Sequence, residues 1–449
     1  MRKPLIVLVA FLMLLAACSD DEGGPVGTGL GTGVQAAGSF DPSEISFEAS
    51  LELFDSCDAV LGHFKSEALA RVGPYGLQGG GRYYPMPLLE GDVMVREEFA
   101  MDDAAAPATT TAGGTDGSGF VQGTDFSGTN VQVAGVDEPD VIKTDGERIL
   151  FVANGMLHYV DVTGGTAQRL GSLALPGWDH RFFFEDDTAI VIARGDGFTI
   201  AYDETESRLA PPYTGPTTLV FAVDISDPSD MTVRRTLRVD GGDLSARAVD
   251  GTVRLVVSAY PNELPFVYPS NQYAEDFAQQ ANEQVIREST IDQWLPNYTL
   301  VAGTDGEVID EGLVVDCARV HAPVEFAGFD TLSVLSMNID DGLGDVAGAA
   351  VIAQGQTIYA SPESLYVATN VWVPDQWVGT PESEDFEQEY ETAIHKFDIT
   401  GTRAAYVASG SIRGHLLNQF SMDEYDGFLR VATTDGAPWG FAEDAESYV

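Results

Sequence analysis

The chain has 449 residues, 44% of them hydrophobic, enough to bury a large core and to make two or three units of ordinary domain size. Seventy Asp and Glu face 23 Lys and Arg, a formal charge of −47, and a field of that sign repels a polyanion, so nucleic acid is excluded as a partner. The same acid surplus fits either a solvated surface screened by salt or a set of oxygen ligands for Ca2+, and no D-x-[DN]-x-[DN]-G loop is present to favour the second.

Met1-Arg2-Lys3, an apolar run over residues 4–17 and then Cys18 have the layout of a secretory signal, and the run is shorter than the about 20 residues a membrane span needs. Leu15-Ala16-Ala17-Cys18 resembles a bacterial lipobox. The small residues and the Cys fall where a signal cleavage site belongs, which separates this reading from an ordinary signal peptide with a chance Cys. The resemblance implies that residues 1–17 are a signal peptide and that Cys18 carries the lipid. Ser19 after the Cys then points to the outer membrane of a bacterial cell envelope, with the mature chain tethered by its acyl chains and not spanning.

Residues 18–40 are rich in Gly and acid and are read as a flexible tether, so the glycines at 27–33 have no preceding strand and make no cofactor loop. Within the region 41–100, Leu51, Phe54, Cys57, Val60 or Leu61, Phe64, Ala68 and Leu69 recur at three and four residues, the pattern of one amphipathic helix ending before Gly73-Pro74. Ala, Thr, Gly and Ser dominate the next stretch, and residues 101–130 are read as a loose linker.

Beyond residue 130 the pattern changes to short strands. An acidic turn followed by a β-rich run, first seen at Asp145-Gly146 before Arg148-Ile149-Leu150-Phe151-Val152-Ala153, recurs at residues 185–193, 250–258, 360–368 and 424–432. The apolar runs after these turns predict strands buried on both faces. A second run ends each time in an acid or amide followed by a β-branched residue: Asp161-Val162, Asp224-Ile225, Asn338-Ile339 and Asp398-Ile399. A carboxylate there can accept hydrogen bonds from the amides of the next turn, a structural role repeated once per unit. With further strands over residues 232–239 and 406–412, three or four strands per unit predict an all-β fold, a β-propeller over residues 131–449 with about four near-complete blades and a truncated fifth.

An insertion of roughly 70 residues, 261–330, stands between the third and fourth repeats. It holds a helix predicted over Tyr273 to Glu288 and aromatic, Pro-rich stretches at Tyr260-Pro261, Pro265-Phe266-Val267-Tyr268-Pro269 and Trp294-Leu295-Pro296-Asn297-Tyr298. These aromatics either pack over the body or form a binding surface. Once Cys18 is acylated, Cys57 and Cys317 remain; an oxidising compartment permits a disulfide between the N-terminal helix and the insertion, and two buried unlinked thiols are the alternative.

Two long phrases resemble one family: Asn130-Val131-Gln132-Val133-Ala134-Gly135-Val136-Asp137-Glu138-Pro139-Asp140 with Lys143-Thr144-Asp145-Gly146, and Asn418-Gln419-Phe420-Ser421-Met422-Asp423-Glu424-Tyr425 with Gly427 and Leu429-Arg430-Val431-Ala432-Thr433-Thr434. This is the secreted bacterial family with a C-terminal β-propeller distantly related to WD repeats; the similarity covers about residues 130–435 and implies fold and export, with no activity or ligand set attached. Val223-Asp224-Ile225-Ser226-Asp227-Pro228 is also similar to repeats of other surface propellers. In that family the sheet continues beyond the second phrase, so the 15 residues after Thr434 read as the end of an unfinished propeller.

Reaction motifs are missing from the sequence: no His pair with Glu at i, i+4, no C-x-x-C, no G-x-S-x-G and no G-K-[ST]. The clustered acids Asp137, Glu138, Asp140, Asp423 and Glu424 could hold a divalent cation such as Ca2+ near a propeller axis, or could fix blade register through inter-blade hydrogen bonds and turn caps, which repeat folds need at each interface. No cofactor is expected. The preferred expectation is a surface-anchored binding or scaffolding module whose partners are the membrane, through its lipid, and an envelope protein or polymer; the rival is an extracytoplasmic hydrolase or dehydrogenase with an axial site.

Overall fold

The computed structural model describes residues 51–77, 131–195, 215–261, 264–323, 326–344, 346–353, 355, 357–371, 391–434 and 446–449. The signal peptide, the lipobox with Cys18, the tether, residues 78–100 of the helical region and the linker before residue 131 lie outside the described residues.

Among the described residues, four antiparallel four-stranded units follow one another as propeller blades. Blade 1 is Ile142–Thr144, Arg148–Ala153, Met156–Asp161 and Gln168–Ala174; blade 2 is Trp178–Glu185, Thr188–Gly195, Thr217–Asp224 and Thr232–Asp240. Blade 3 is Gly242–Val249, Thr252–Ala259, Thr331–Asn338 and Ala347–Ile352, and blade 4 is Thr357–Ala360, Ser364–Val371, Glu391–Asp398 and Ala405–Arg413. A hairpin of Met422–Tyr425 and Phe428–Val431 begins a fifth. First strands of successive blades lie side by side, blade 1 against blade 2 and blade 3 against blade 4, which makes them the inner edge.

The recurring acidic phrase is the turn from the first to the second strand of every blade. Asp186, Asp250 and Asp426 occupy it with φ of 45°, 48° and 52°, a left-handed conformation that Asp tolerates because its short side chain can bond locally. The second run is the third strand, and its terminal residue caps the next turn each time. Asp161 accepts from the Thr163 amide and hydroxyl at 2.8 and 2.7 Å, Asp224 from those of Ser226 at 3.0 and 2.6 Å, and Asp398 from those of Thr400 at 2.8 and 2.7 Å. Asn338 does the same for the Asp340 amide at 2.9 Å. Hydrogen bonds from Ser226 and Arg234 pull the Asp224 carboxyl down to about 2.

Two expectations need correction. Second strands are buried along nearly their whole length in blades 2, 3 and 4, but in blade 1 only Leu150 of Arg148–Ala153 is fully buried. The insertion does not separate two repeats; it leaves blade 3 after its second strand and returns at its third. On the way it extends two sheets at their outer edges. Asn297–Ala302 pairs with the fourth strand of blade 2, setting Leu300 opposite Leu237, and Val308–Leu313 adds a sixth strand. Val320–Pro323 then runs parallel to the fourth strand of blade 3, and Leu51–Leu53 closes that sheet from the other end of the chain. The additions pair edge groups that would otherwise face solvent or another chain.

Those pairings also shorten the first helix. Leu51 and Phe54 keep the apolar spacing but belong to the strand and its exit, and α1 spans Cys57–Arg71 with Ser56 capping the Ala59 amide at 3.3 Å. Its Val60, Phe64 and Ala68 are buried against the insertion. The predicted second helix is a 3-10 turn, Gln272–Ala274, leading into α2, Glu275–Glu288.

Candidate functional site

The first acidic motif is a stitch along the inner edge. Asp137 exchanges both backbone hydrogen bonds with Ala248 of blade 3, at 2.8 and 2.9 Å, and Asp140 does so with Phe182 of blade 2, at 3.3 and 3.0 Å, before the chain enters blade 1. The side chains meet cations. Lys143 Nζ lies 2.6 Å from Asp137 Oδ1, Arg247 lies 3.6 Å from Glu138, and Asp140 accepts the Val141 amide at 2.6 Å. Beside them Arg181 of blade 2 pairs with Asp243 of blade 3, another inter-blade contact.

Asp423 pairs with Arg430 across the fifth hairpin, while Glu424 faces Lys396 at 4.0 Å and its amide donates to the Tyr359 hydroxyl at 2.8 Å. The two family motifs do touch, through amides. Gln132 Nε2 donates to the carbonyls of Gln419 and Met422 at 3.1 and 3.2 Å, and Gln419 Oε1 accepts from Arg247 at 2.7 Å. Among the described residues no three His, Cys, Asp or Glu side chains group in a way that could hold a metal ion.

Sequence reasoning passed over the cations in this network. With only 23 Lys and Arg against 70 acids, each basic residue on an inner or second strand was a signal in itself. Arg254, buried in blade 3, shows it: its Nη2 donates to Ile399 O at 3.1 Å and to Gly401 O of blade 4, and burial lowers its guanidinium to about 10. A repeated His–Ser pair was missed as well. Three residues before the terminal Asp of the third strand, His158 Nδ1 meets Ser172 Oγ at 2.6 Å in blade 1, and His395 Nδ1 meets Ser409 Oγ at 2.7 Å in blade 4.

The insertion forms a platform on the outer side of blades 2 and 3. Cys57 of α1 and Cys317 are joined by a disulfide. Trp294 is buried, stacks on Phe64 at 5.0 Å between ring centroids and donates from its indole to Ser289 Oγ at 2.8 Å. Asn282 of α2 has no exposed surface; its Oδ1 accepts the Val267 amide at 2.7 Å, and its Nδ2 donates to the carbonyls of Gly73, Pro74 and Val267 at 3.1, 3.3 and 3.1 Å. The aromatic residues of the insertion thus divide. Trp294 and Phe266 pack inward, whereas Tyr268, Tyr273 and Phe277 are exposed, the last two at 89% and 71%.

Between the platform and the two blades lies a cavity of about 120 Å³. Leu237, Val239, Leu300, Leu335, Leu343 and Val346 give it apolar walls, and Tyr298 and Asp310 from the two added strands give it a polar side, with the phenol donating to Asp310 Oδ2 at 2.6 Å. Burial and then the Asp310 carboxylate push the Tyr298 phenol up to about 12.

The architecture can be set beside known proteins. An uncharacterized protein of Methanocaldococcus jannaschii is 24% identical over 382 residues, which cover 71% of this chain and 51% of that protein. A second uncharacterized protein, of Archaeoglobus fulgidus, is 23% identical over 361 residues, covering 69% and 52%. The chain therefore spans about half the length of these curated relatives. Among solved structures, a crystal structure of the eukaryotic initiation factor aligns with 67% of this chain and 74% of its own at 9% identity, and its TM-score of 0.19 is too low to carry any argument. The model of the beta propeller domain matches residues 126–448, the span that holds every blade described above. The chain belongs to the beta propeller domain family.

Proposed function

We propose that this propeller is a surface-anchored, extracytoplasmic binding or scaffolding module, held to a membrane by lipid on Cys18 and taking an envelope protein or polymer as its partner. One observation carries the reading: the acids of the family motifs are engaged in contacts within and between blades, while Tyr268, Tyr273 and Phe277 stand exposed on a platform fixed by a disulfide and a buried Asn. Exposed aromatics on a rigid support are the residue type that dominates binding energy at protein interfaces. The lipobox motif and the tether composition support the anchored location.

Capture from cell envelopes with the full-length chain, analysed by mass spectrometry, tests the binding part. A discrete partner should be recovered and then lost with the double variant Tyr273→Ser/Phe277→Ser; equal recovery by both chains would refute the assignment of this face. Fractionation of Cys18→Ser tests the anchor, which should move from the membrane pellet to the soluble fraction, and an unchanged pellet would sink it. Calcium and chelator should both leave the melting temperature unchanged, because the acids of the motifs already have cationic or backbone partners; a rise with calcium would show a site by linkage.

A further inference from the structure

We infer that the cavity between blades 2 and 3 is a binding site for a small organic amine, with a short apolar chain or ring inside and an ammonium group at the Tyr298–Asp310 side. This site is separate from the exposed aromatic face and stands whether or not that face binds a macromolecule.

The size follows from the volume. A cavity of about 120 Å³ is somewhat smaller than the roughly 150 Å³ cavity that takes benzene in an engineered protein, which limits the apolar part to about four to six carbons. Its apolar walls come from the large core shared by blades 2 and 3, so the side chains that line it are themselves held in place, and the polar side at Asp310 opens to solvent. An apolar guest would cover the leucine and valine side chains of these walls and gain packing contacts with them.

The charge follows from the polar side. Asp310 already accepts from the Tyr298 hydroxyl at 2.6 Å and from the Glu311 amide at 3.0 Å, and an ionised carboxylate can only accept, so a ligand group that meets it must donate. A tyrosine ring beside a carboxylate favours a cation, through its ring face as well as through the charge. The net charge of −47 raises the local concentration of cations and repels anions of the same size. Arg235, beside Gly344 on the rim, is the group that would favour the opposite choice, so an anionic probe belongs in the test.

The backbone supplies a second, independent observation. Leu343, which lines the cavity and is buried, has φ of 66°, and Gly342 before it has φ of 54°. For a bulky side chain the left-handed region is a genuine outlier, and such residues concentrate at ligand sites, where surrounding structure holds the strain in place. The turn between the third and fourth strands of blade 3 is thus bent in the way that brings a Leu side chain to the cavity wall.

Calorimetric titration of the folded chain with pentylammonium, 1-pentanol and pentanoate decides the matter. Pentylammonium should bind saturably at one site and raise the melting temperature, the alcohol should bind at least about tenfold more weakly, and the carboxylate should not bind. Asp310→Asn should weaken pentylammonium by about tenfold while leaving the alcohol unaffected, and Leu300→Phe should abolish binding of both by filling the space. Should Leu300→Phe fail to fold, Tyr298→Leu replaces it: it removes the aromatic face beside Asp310 and should weaken the amine selectively. Binding of none of the probes would show a packing void only, preference for pentanoate would overturn the assignment of charge, and amine binding unchanged by Asp310→Asn would place it elsewhere.

Discussion

Blades 1 and 3 are built to the same four-strand plan and differ in what covers them. Blade 3 is covered on both faces and along its outer edge, and every residue of its third strand, Thr331–Asn338, is buried but the last. Blade 1 contributes Leu150 and Leu157 to the core it shares with blade 2, and its fourth strand, Gln168–Ala174, is almost wholly exposed. A blade's sequence therefore supplies its hydrogen-bond ladder, while its stability is set by its neighbours, as in other repeat folds.

The contrast can be broken at the platform. Phe64→Ala removes the ring stacked on buried Trp294 and should cost about 3–5 kcal/mol, the usual range for deleting a buried aromatic. Hydrogen exchange should quicken across residues 57–77 and 275–322 and leave residues 142–174 unchanged; equal loosening of blade 1 would show that the two blades unfold as one unit. Next comes Cys57→Ser/Cys317→Ser, which opens a link across a sequence separation of 260 and should cost about 2–4 kcal/mol, read from denaturant midpoints against the oxidised wild type.

Acid sharpens the comparison within the His–Ser pairs. His395 is 2% exposed, and burial lowers its ring to about 4, so the folded state holds it neutral while the unfolded chain protonates near 6.5. Its contribution is fully present above about 6.5, declines as pH falls and is gone below about 4, a change on the order of 3 kcal/mol. His395→Gln should flatten the melting temperature between pH 7 and 4, and an unaltered slope would contradict this. The smallest effect is expected in blade 1. A Cβ at Gly171 would run into the Pro228 carbonyl of blade 2, so Gly171→Ala should cost about 1–3 kcal/mol by thermal melting and open the blade 1–2 contact first.

Features written into a few consecutive residues are legible from the sequence alone. Asp250-Gly251 and Asp426-Gly427 announce left-handed turns, and Asp224-Ile225-Ser226 announces both a strand end and its cap, because each conformation is decided by its own side chains. First strands escape because they mix exposed and buried residues without a clean period, as Trp178–Glu185 does. The insertion's destinations escape for another reason. Nothing in Asn297–Ala302 names Thr232–Asp240 as its partner, since pairing depends on which edge is open when the strand arrives. The cavity follows from those pairings, so in the sequence Tyr298 and Asp310 are only an aromatic and one acid among 70.

The stitch at Asp137 and Asp140 also carries a consequence for how the chain folds. Its partners, Phe182 and Ala248, belong to blades that follow it in sequence, so a segment made early must wait for strands made later. On a ribosome adding about 5–20 residues per second, residues 136–140 leave the tunnel several seconds or more before blade 3 exists to receive them. The entry to blade 1 is therefore a late, long-range step, the kind of closure that slows folding and leaves an inner sheet edge open until it is made.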